Sequence, residues 1–309
     1  MTVTMTLATA TLAGLGNGAV YALIAVSFVI IFRATGVLNF AQPGLLILGT
    51  FFTAVLTTNL AWPFWLSALV GMLLVAVVAV AAERVAIRPM IGRPVFATSL
   101  VTVGLFTILL IVAFRLFAAR ARTVNDPWQL TRRCLLQDAE GVQCALPVYD
   151  FTIGRFVVSM VVLGLLGLWL SRSRVGLAMR ATSMDQEAAL AQGVEVGRMF
   201  SLSWAIGGAL AALAGVLLAS GGSVVQANDA LFALVALPAL ILGGIDSFKG
   251  AVVGGLIIGV VSSITAALQP IHAPWLGPNF ENVVPYVVMI LVLLVRPYGL
   301  FGTQEVIRV

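Results

Sequence analysis

Apolar residues run on for about twenty positions at a time along most of this chain, and polar residues collect in the gaps. A run of that length matches the roughly 30 Å hydrocarbon core of a bilayer at about 1.5 Å per helical residue. The pattern predicts clear spans over residues 7–32, 43–60, 64–82, 95–117, 153–170, 199–220, 251–268 and 283–295. A short element at 231–245 is broken by Pro238 and closed by Gly243-Gly244. The alternating segments of a membrane barrel are absent. The expected fold is an all-α polytopic transmembrane bundle of eight clear spans plus one short or broken element, in one domain over residues 1–309.

The gaps set the orientation. Arg84, Arg88 and Arg93 stand against a single Glu83, and Arg172, Arg174, Arg180 and Arg198 crowd a later gap. Excess basic residues mark cytoplasmic loops, so both are expected inside. Residues 118–152 then lie outside, and nine crossings put the N-terminus outside and the C-terminus inside, in agreement with Arg308. Arg115, Arg120, Arg122, Arg132 and Arg133 count against this placement, although longer loops translocate despite charge. Trp62 and Trp65 mark an interface. Gln226, Asn228 and Asp229 form an outer turn, and the lone His272 reads as an interface residue in an outer loop. The first span lacks a basic leader region and reads as retained. Cys134 and Cys144, the only cysteines, could close a disulfide in an oxidising compartment or stay as two reduced thiols.

Two places within the apolar pattern carry polar or small residues. Gly14 to Leu23 gathers small residues, which let membrane helices approach closely. Asn17 and Tyr21, four apart on one face, form either an interhelical hydrogen bond or part of a pathway lining. The junction Asn39-Phe40-Ala41-Gln42-Pro43-Gly44 interrupts the run, with Pro43 suited to a helix start. Non-helical backbone at membrane depth must be buried in protein or line a cavity, so Asn39 and Gln42 are candidate pathway contacts. A tight turn at the surface is the alternative.

The segment 172–198 differs from the other gaps because it reads as organised helix. Ser183 with Gln186 three residues on fits a capping box, Asp185 and Glu187 put negative charge in the first turn, and Gly193 is a stop. The expected helix runs over about 184–192. It presents Met184, Ala188, Ala189 and Leu190 among charges, which suits docking into a soluble partner's groove or resting on the membrane surface.

Composition narrows the chemistry. The chain is 61% hydrophobic and 9% charged, and its net charge of +5 sits beside the spans as orientation signals rather than as a nucleic-acid footprint. There is no G-x-x-x-x-G-K-[ST] loop for ATP. One histidine builds neither a metal site nor a Ser-His-acid set, so no enzyme activity and no cofactor are expected. The spans read as almost free of ionisable residues, which argues against a proton-coupled carrier. No filter motif for a channel is visible. An intramembrane enzyme would need a buried nucleophile and base together, and none is seen.

Three stretches resemble a known family. They are GLGNGAVYALIAVSFVIIFRATGVLNFAQPGLLILGTF, GLAMRATSMDQEAALAQGVEVGRMFSLSWAIGGALAALAGVLLA and LVLLVRPYGLFG. They are similar to permease subunits of branched-chain amino acid (LIV-type) ABC importers. The family usually shows His then Gly after Asn-Phe-Ala, where this chain has Gln42 and Pro43 before Gly44. The resemblance implies a non-catalytic, multi-pass subunit of the bacterial inner membrane. It would pair with a second homologous permease, two ATP-binding subunits and an extracytoplasmic solute-binding protein. The small-molecule substrate would be branched-chain or related amino acids, amides, urea or small carboxylates. It places Arg180, Asp185, Glu187, Ala188 and Gly193 in the ATPase-coupling segment, and Asn39, Gln42 and Gly44 near the pathway. A stand-alone channel for a small neutral solute is the rival reading, and it has no need of the capped helix.

Overall fold

A computed structural model describes residues 3–90, 93–117, 122–128, 130–135, 144, 146–184, 186–225 and 232–303. Asp185, Arg120, Arg308 and the outer-turn residues Gln226, Asn228 and Asp229 lie outside the described residues. The helices are α1 (Val3–Thr35), α2 (Gln42–Thr58), α3 (Phe64–Ala82), α4 (Val95–Phe117), α5 (Asp150–Arg172), α6 (Arg174–Met184), α7 (Gln186–Ala191), α8 (Val196–Leu218), α9 (Phe232–Gly243), α10 (Phe248–His272) and α11 (Val284–Val295). Short strands β1 (Arg122–Thr123) and β4 (Val224–Val225) pair antiparallel, as do β2 (Arg132–Cys134) and β3 (Pro147–Tyr149). Together they form one end of the bundle, the hairpin end. Cys134 and Cys144 are joined by a disulfide there.

Helices α1 and α8 form the spine. From Ala19 to Ile31 every residue of α1 except Tyr21 is buried, and in α8 every residue from Leu210 to Leu217 is buried. A helix apolar on all sides needs neighbours on all sides, and these two have them. Helix α10 lies along α1 through a seam of small residues, Gly14, Gly18 and Ala22 against Gly255 and Gly259. A Cβ on Gly259 would stand 2.2 Å from the Cα of Gly18, so the backbones touch. That close approach supplies the dispersion contacts that hold helices together where lipid removes the hydrophobic drive. Helices α4 and α5 sit at the rim, where Ile108, Ile111, Val161 and Leu165 face outward as lipid-contacting side chains do.

Among the described residues, six helices are long and apolar enough to cross a membrane. Three shorter apolar helices accompany them, Gln42–Thr58, Ala233–Gly243 and Phe280–Val295. The chain is therefore a polytopic helical membrane protein. The expected second and last clear spans are among the short helices. Helix α2 has 17 residues and α11 has 12, or about 26 and 18 Å of helix against a core of roughly 30 Å. Two further expectations need correction. The gap after α3 is not a loop, because the helix continues through a π-helical turn at Glu83–Ile87 and a 3-10 turn at Arg88–Met90. Glu83 is fully buried there, with Arg88 donating to both its oxygens (3.1 and 3.3 Å) and Ser201 of α8 donating at 2.6 Å. Its charge is satisfied by protein, so the chain has no need to turn out to water. Nor does a helix begin at Ser183. Helix α6 already runs to Met184, and the Ser183 hydroxyl donates back to the Arg180 carbonyl at 2.8 Å instead of capping.

Candidate functional sites

The segment between α5 and α8 folds as two short helices. Ser173 ends α5 and caps α6, its hydroxyl accepting from the Gly176 N–H at 2.9 Å. Gly176 has no room for a side chain, because a Cβ would stand 1.9 Å from the Leu170 carbonyl oxygen. Arg180 donates to that same carbonyl at 2.7 Å and ties α6 to the end of α5. Helix α7 stops at Gly193, which has φ +81°. Val194 N–H bonds Ala189 O at 3.0 Å and Gly193 N–H bonds Leu190 O at 2.9 Å, the paired bonds of a Schellman end. Ala189 packs inward, while Glu187, Ala188, Leu190 and Met184 are exposed. Met184 is 89% exposed and Leu190 58%, with Leu177 also outward, so a small apolar surface stands on a firmly held unit. The three bonds to Glu83 already described, together with those from Arg88 to the Ser201 hydroxyl and the Gly197 carbonyl (2.9 Å each), lock the first turns of α8 beside it.

Near the hairpin end lies a cavity of about 330 Å³, lined by Asn17 and Tyr21 of α1, Thr50 of α2, Arg155 of α5 and residues of the α8 end. Arg155 is 8% exposed. Its Nε donates to the Leu217 carbonyl (2.8 Å) and the Ser220 hydroxyl (3.2 Å). Its Nη2 donates to the Leu218 (2.9 Å) and Ser220 (2.8 Å) carbonyls, and Nη1 to Asn17 Oδ1 (3.0 Å). The guanidinium thus closes the C-terminus of α8, where the helix dipole favours a cation. Phe151 lies 4.7 Å from it as a cation–π partner. The segment from β1 to Trp128 packs over this end. Asp126 accepts from the Gly221 N–H at 2.7 Å, and Trp128 lies against Gly154.

The junction before α2 is enclosed. Asn39 is 1% exposed and Gln42 fully buried. Asn39 Oδ1 accepts from the Ala41 N–H (3.0 Å), Gln42 Nε2 donates to Ser27 of α1 (2.8 Å), and Thr102 of α4 accepts from the Phe40 N–H (3.0 Å). Gly44 packs on Leu109 of α4. Asn39 Nδ2 and Gln42 Oε1 have no partner among the described residues. Leaving such atoms unpaired costs about 1–3 kcal/mol each.

A profile of the family described as "Branched-chain amino acid transport system / permease component" matches residues 10–293. The chain belongs to this permease family. The permease is 28% identical over 304 residues to the high-affinity branched-chain amino acid transport system permease protein LivH of Salmonella typhimurium, and 30% identical over 302 residues to the corresponding protein BraD of Pseudomonas aeruginosa. Both alignments cover 96% of each chain. A probable LivH of Methanocaldococcus jannaschii is 33% identical over 155 residues, covering 49% of the permease and 48% of that protein.

The structure gathers the sequence candidates into three places. Arg180, Glu187, Ala188 and Gly193 share the α6–α7 unit, with Asp185 outside the described residues. Asn17 and Tyr21 share the cavity with Arg155. Asn39, Gln42 and Gly44 sit together in the enclosed junction, apart from that cavity. Sequence reasoning did not single out Arg155 and read Glu83 only as the lone acid of a basic gap, whereas both are buried within the bundle. Arg155 falls just inside the apolar run that begins at Ile153, which was the available signal for it. An intramembrane ionisable residue calls for a named partner. Asn17 was already singled out.

Proposed function

We propose that this permease is the membrane-spanning subunit of an ATP-driven importer of branched-chain or related amino acids, coupled to its ATPases through α6–α7. The observation that carries the reading is the capped α6–α7 unit with Leu177, Met184 and Leu190 facing out. Arg84, Arg88, Arg93, Arg172, Arg174 and Arg198 belong to that end, which makes it the cytoplasmic one. The N-terminus then lies outside, the C-terminus inside and the hairpin end faces the extracytoplasmic binding protein. The cargo class follows the names of the relatives. The host membrane is the bacterial cytoplasmic membrane, with a second homologous permease alongside.

ATP-binding subunits dock on the exposed face of α7, with Asp185, Glu187 and Ala188 contributing. Movement passes through Arg180 to α5 and through the Gly193 end to α8. Asn17 and Tyr21 line the outer part of the pathway. Asn39, Gln42 and Gly44 form a plug in this arrangement, and the two unpaired polar atoms favour a second arrangement in which they find partners. Co-reconstitution with the ATP-binding subunits and binding protein in liposomes tests the reading. ATP-dependent L-leucine uptake should appear, and Leu190→Asp should lower it at least tenfold at unchanged protein level. Downhill leucine flux that ignores ATP and the ATPase subunits would instead make the chain a facilitator.

A further inference from the structure

We propose that the cavity beneath Arg155 is a carboxylate-binding site, and that the cargo presents its carboxylate there. The cargo part rests on the importer reading above; the anion site does not. Capping α8 explains why Arg155 is buried, and the end of a helix carries about half a negative charge to set against it. The buried Asp126 carboxylate of the overlying segment acts on the guanidinium as well, from beyond ion-pair distance. Among the described residues no carboxylate oxygen lies within ion-pair distance of Arg155, whereas Arg88, Arg133 and Arg198 all have one. With no carboxylate in direct contact, the cavity side of the guanidinium is open to an anion.

The hydrogen-bond inventory points the same way. Of the five guanidinium N–H groups, those on Nε and Nη2 are taken by the α8 end and one on Nη1 by Asn17. The second Nη1 N–H has no acceptor among the described residues. Because Arg155 fixes the Asn17 oxygen, the Asn17 amide nitrogen is a donor with no acceptor among the described residues. The Tyr21 hydroxyl also has no partner among them. These three donors line one cavity of about 330 Å³, a volume at the lower edge of the roughly 300–1,000 Å³ typical of small-molecule pockets. Leu46, Leu218 and Ala219 make the remaining wall apolar, which suits an aliphatic group. A site built of donors accepts a carboxylate and disfavours an amide or urea, whose own N–H groups would face donors.

The test uses a single thiol at the mouth of the cavity. Both native cysteines are in the disulfide, so Ser223→Cys adds the only free one to the permease chain. In the reconstituted transporter, its modification by an anionic and a cationic methanethiosulfonate is timed on the separated permease chain. Arg155→Gln should lower the anionic-to-cationic rate ratio about tenfold, and Arg155→Lys should leave it within about twofold. An unchanged ratio in Arg155→Gln overturns the proposal. A second arm keeps Arg155 and decides the matter if Arg155→Gln fails to insert. Isovalerate should slow labelling and isovaleramide should not; equal protection by the two, or none from isovalerate, overturns the proposal. Protection by isovalerate with no ATP-driven leucine uptake keeps the anion site and removes the amino acid reading.

Discussion

Replacing Gly259 by Ala tests the backbone seam between α1 and α10. The new Cβ would stand 2.2 Å from Gly18 Cα, 2.3 Å from Gly18 N and 2.6 Å from Gly14 O. Carbon atoms rest about 3.5–4.0 Å apart, so the helices must separate by roughly 1.3–1.8 Å there. No side chain can swing away, because all three obstacles are backbone atoms. A gap of about 1 Å forfeits a quarter to a half of each dispersion contact, and overpacking of this kind costs about 1–3 kcal/mol. Helix propensity works the other way by about 1 kcal/mol, since Ala is the better helix former. The net expectation is a destabilisation of about 0–2 kcal/mol against the parent, and of about 1–3 kcal/mol against an alanine that gains the same propensity without the clash. Gly104→Ala on α4 is the control, because a Cβ there meets nothing within 4 Å. Thermal unfolding of the detergent-solubilised permease reads both. Gly104→Ala should melt at or slightly above the parent and Gly259→Ala several degrees below Gly104→Ala. Equal melting of the two variants would refute the claim that touching backbones hold α1 to α10.

Other expectations follow from single contacts. Ser173→Ala should loosen α6 by about 1 kcal/mol, seen as faster amide exchange over 174–180, while Ser183→Ala leaves that exchange unchanged. Gly193→Ala forces a side chain to φ +81° and should destabilise the α7 end by about 1–2 kcal/mol, read by proteolysis between α7 and α8. Glu83→Gln weakens the bonds to Arg88 and Ser201. A double-mutant cycle with Arg88→Gln should give a coupling of about 1–3 kcal/mol in thermal unfolding, and additive effects would remove the pair as a lock on α8.

The spans were legible because length and apolarity report directly on a bilayer. Residues 64–82 and 95–117 coincide with α3 and α4 in the structure. The Gly14 to Leu23 stretch was readable as a packing face, but its partner was not, because nothing in a sequence pairs Gly18 with Gly259 across some 240 positions. Helix α6 was missed because its residues, Arg174 to Met184, are too mixed to show a stripe. What makes them helical is the Ser173 cap and the anchorage of Arg180 on Leu170. The seeming capping box at Ser183 fits the residue pattern, yet α6 already occupies that position, so tertiary anchorage overrode a local signal. Glu83 looked like part of a charged loop because its solvating partner Ser201 lies 118 residues away. Arg155 was hidden for the same reason, since three of its acceptors are carbonyls, which are invisible to residue type.

The most direct measurement is a cross-link from α7. A photo-reactive group placed at Leu190 through Leu190→Cys would be activated in native membranes and the adduct identified. The coupling account predicts a single major adduct to an ATP-binding subunit, whose yield changes when ATP is trapped. Labelling of lipid alone, unaltered by nucleotide, would mean that α7 rests on the membrane surface and that coupling does not pass through it.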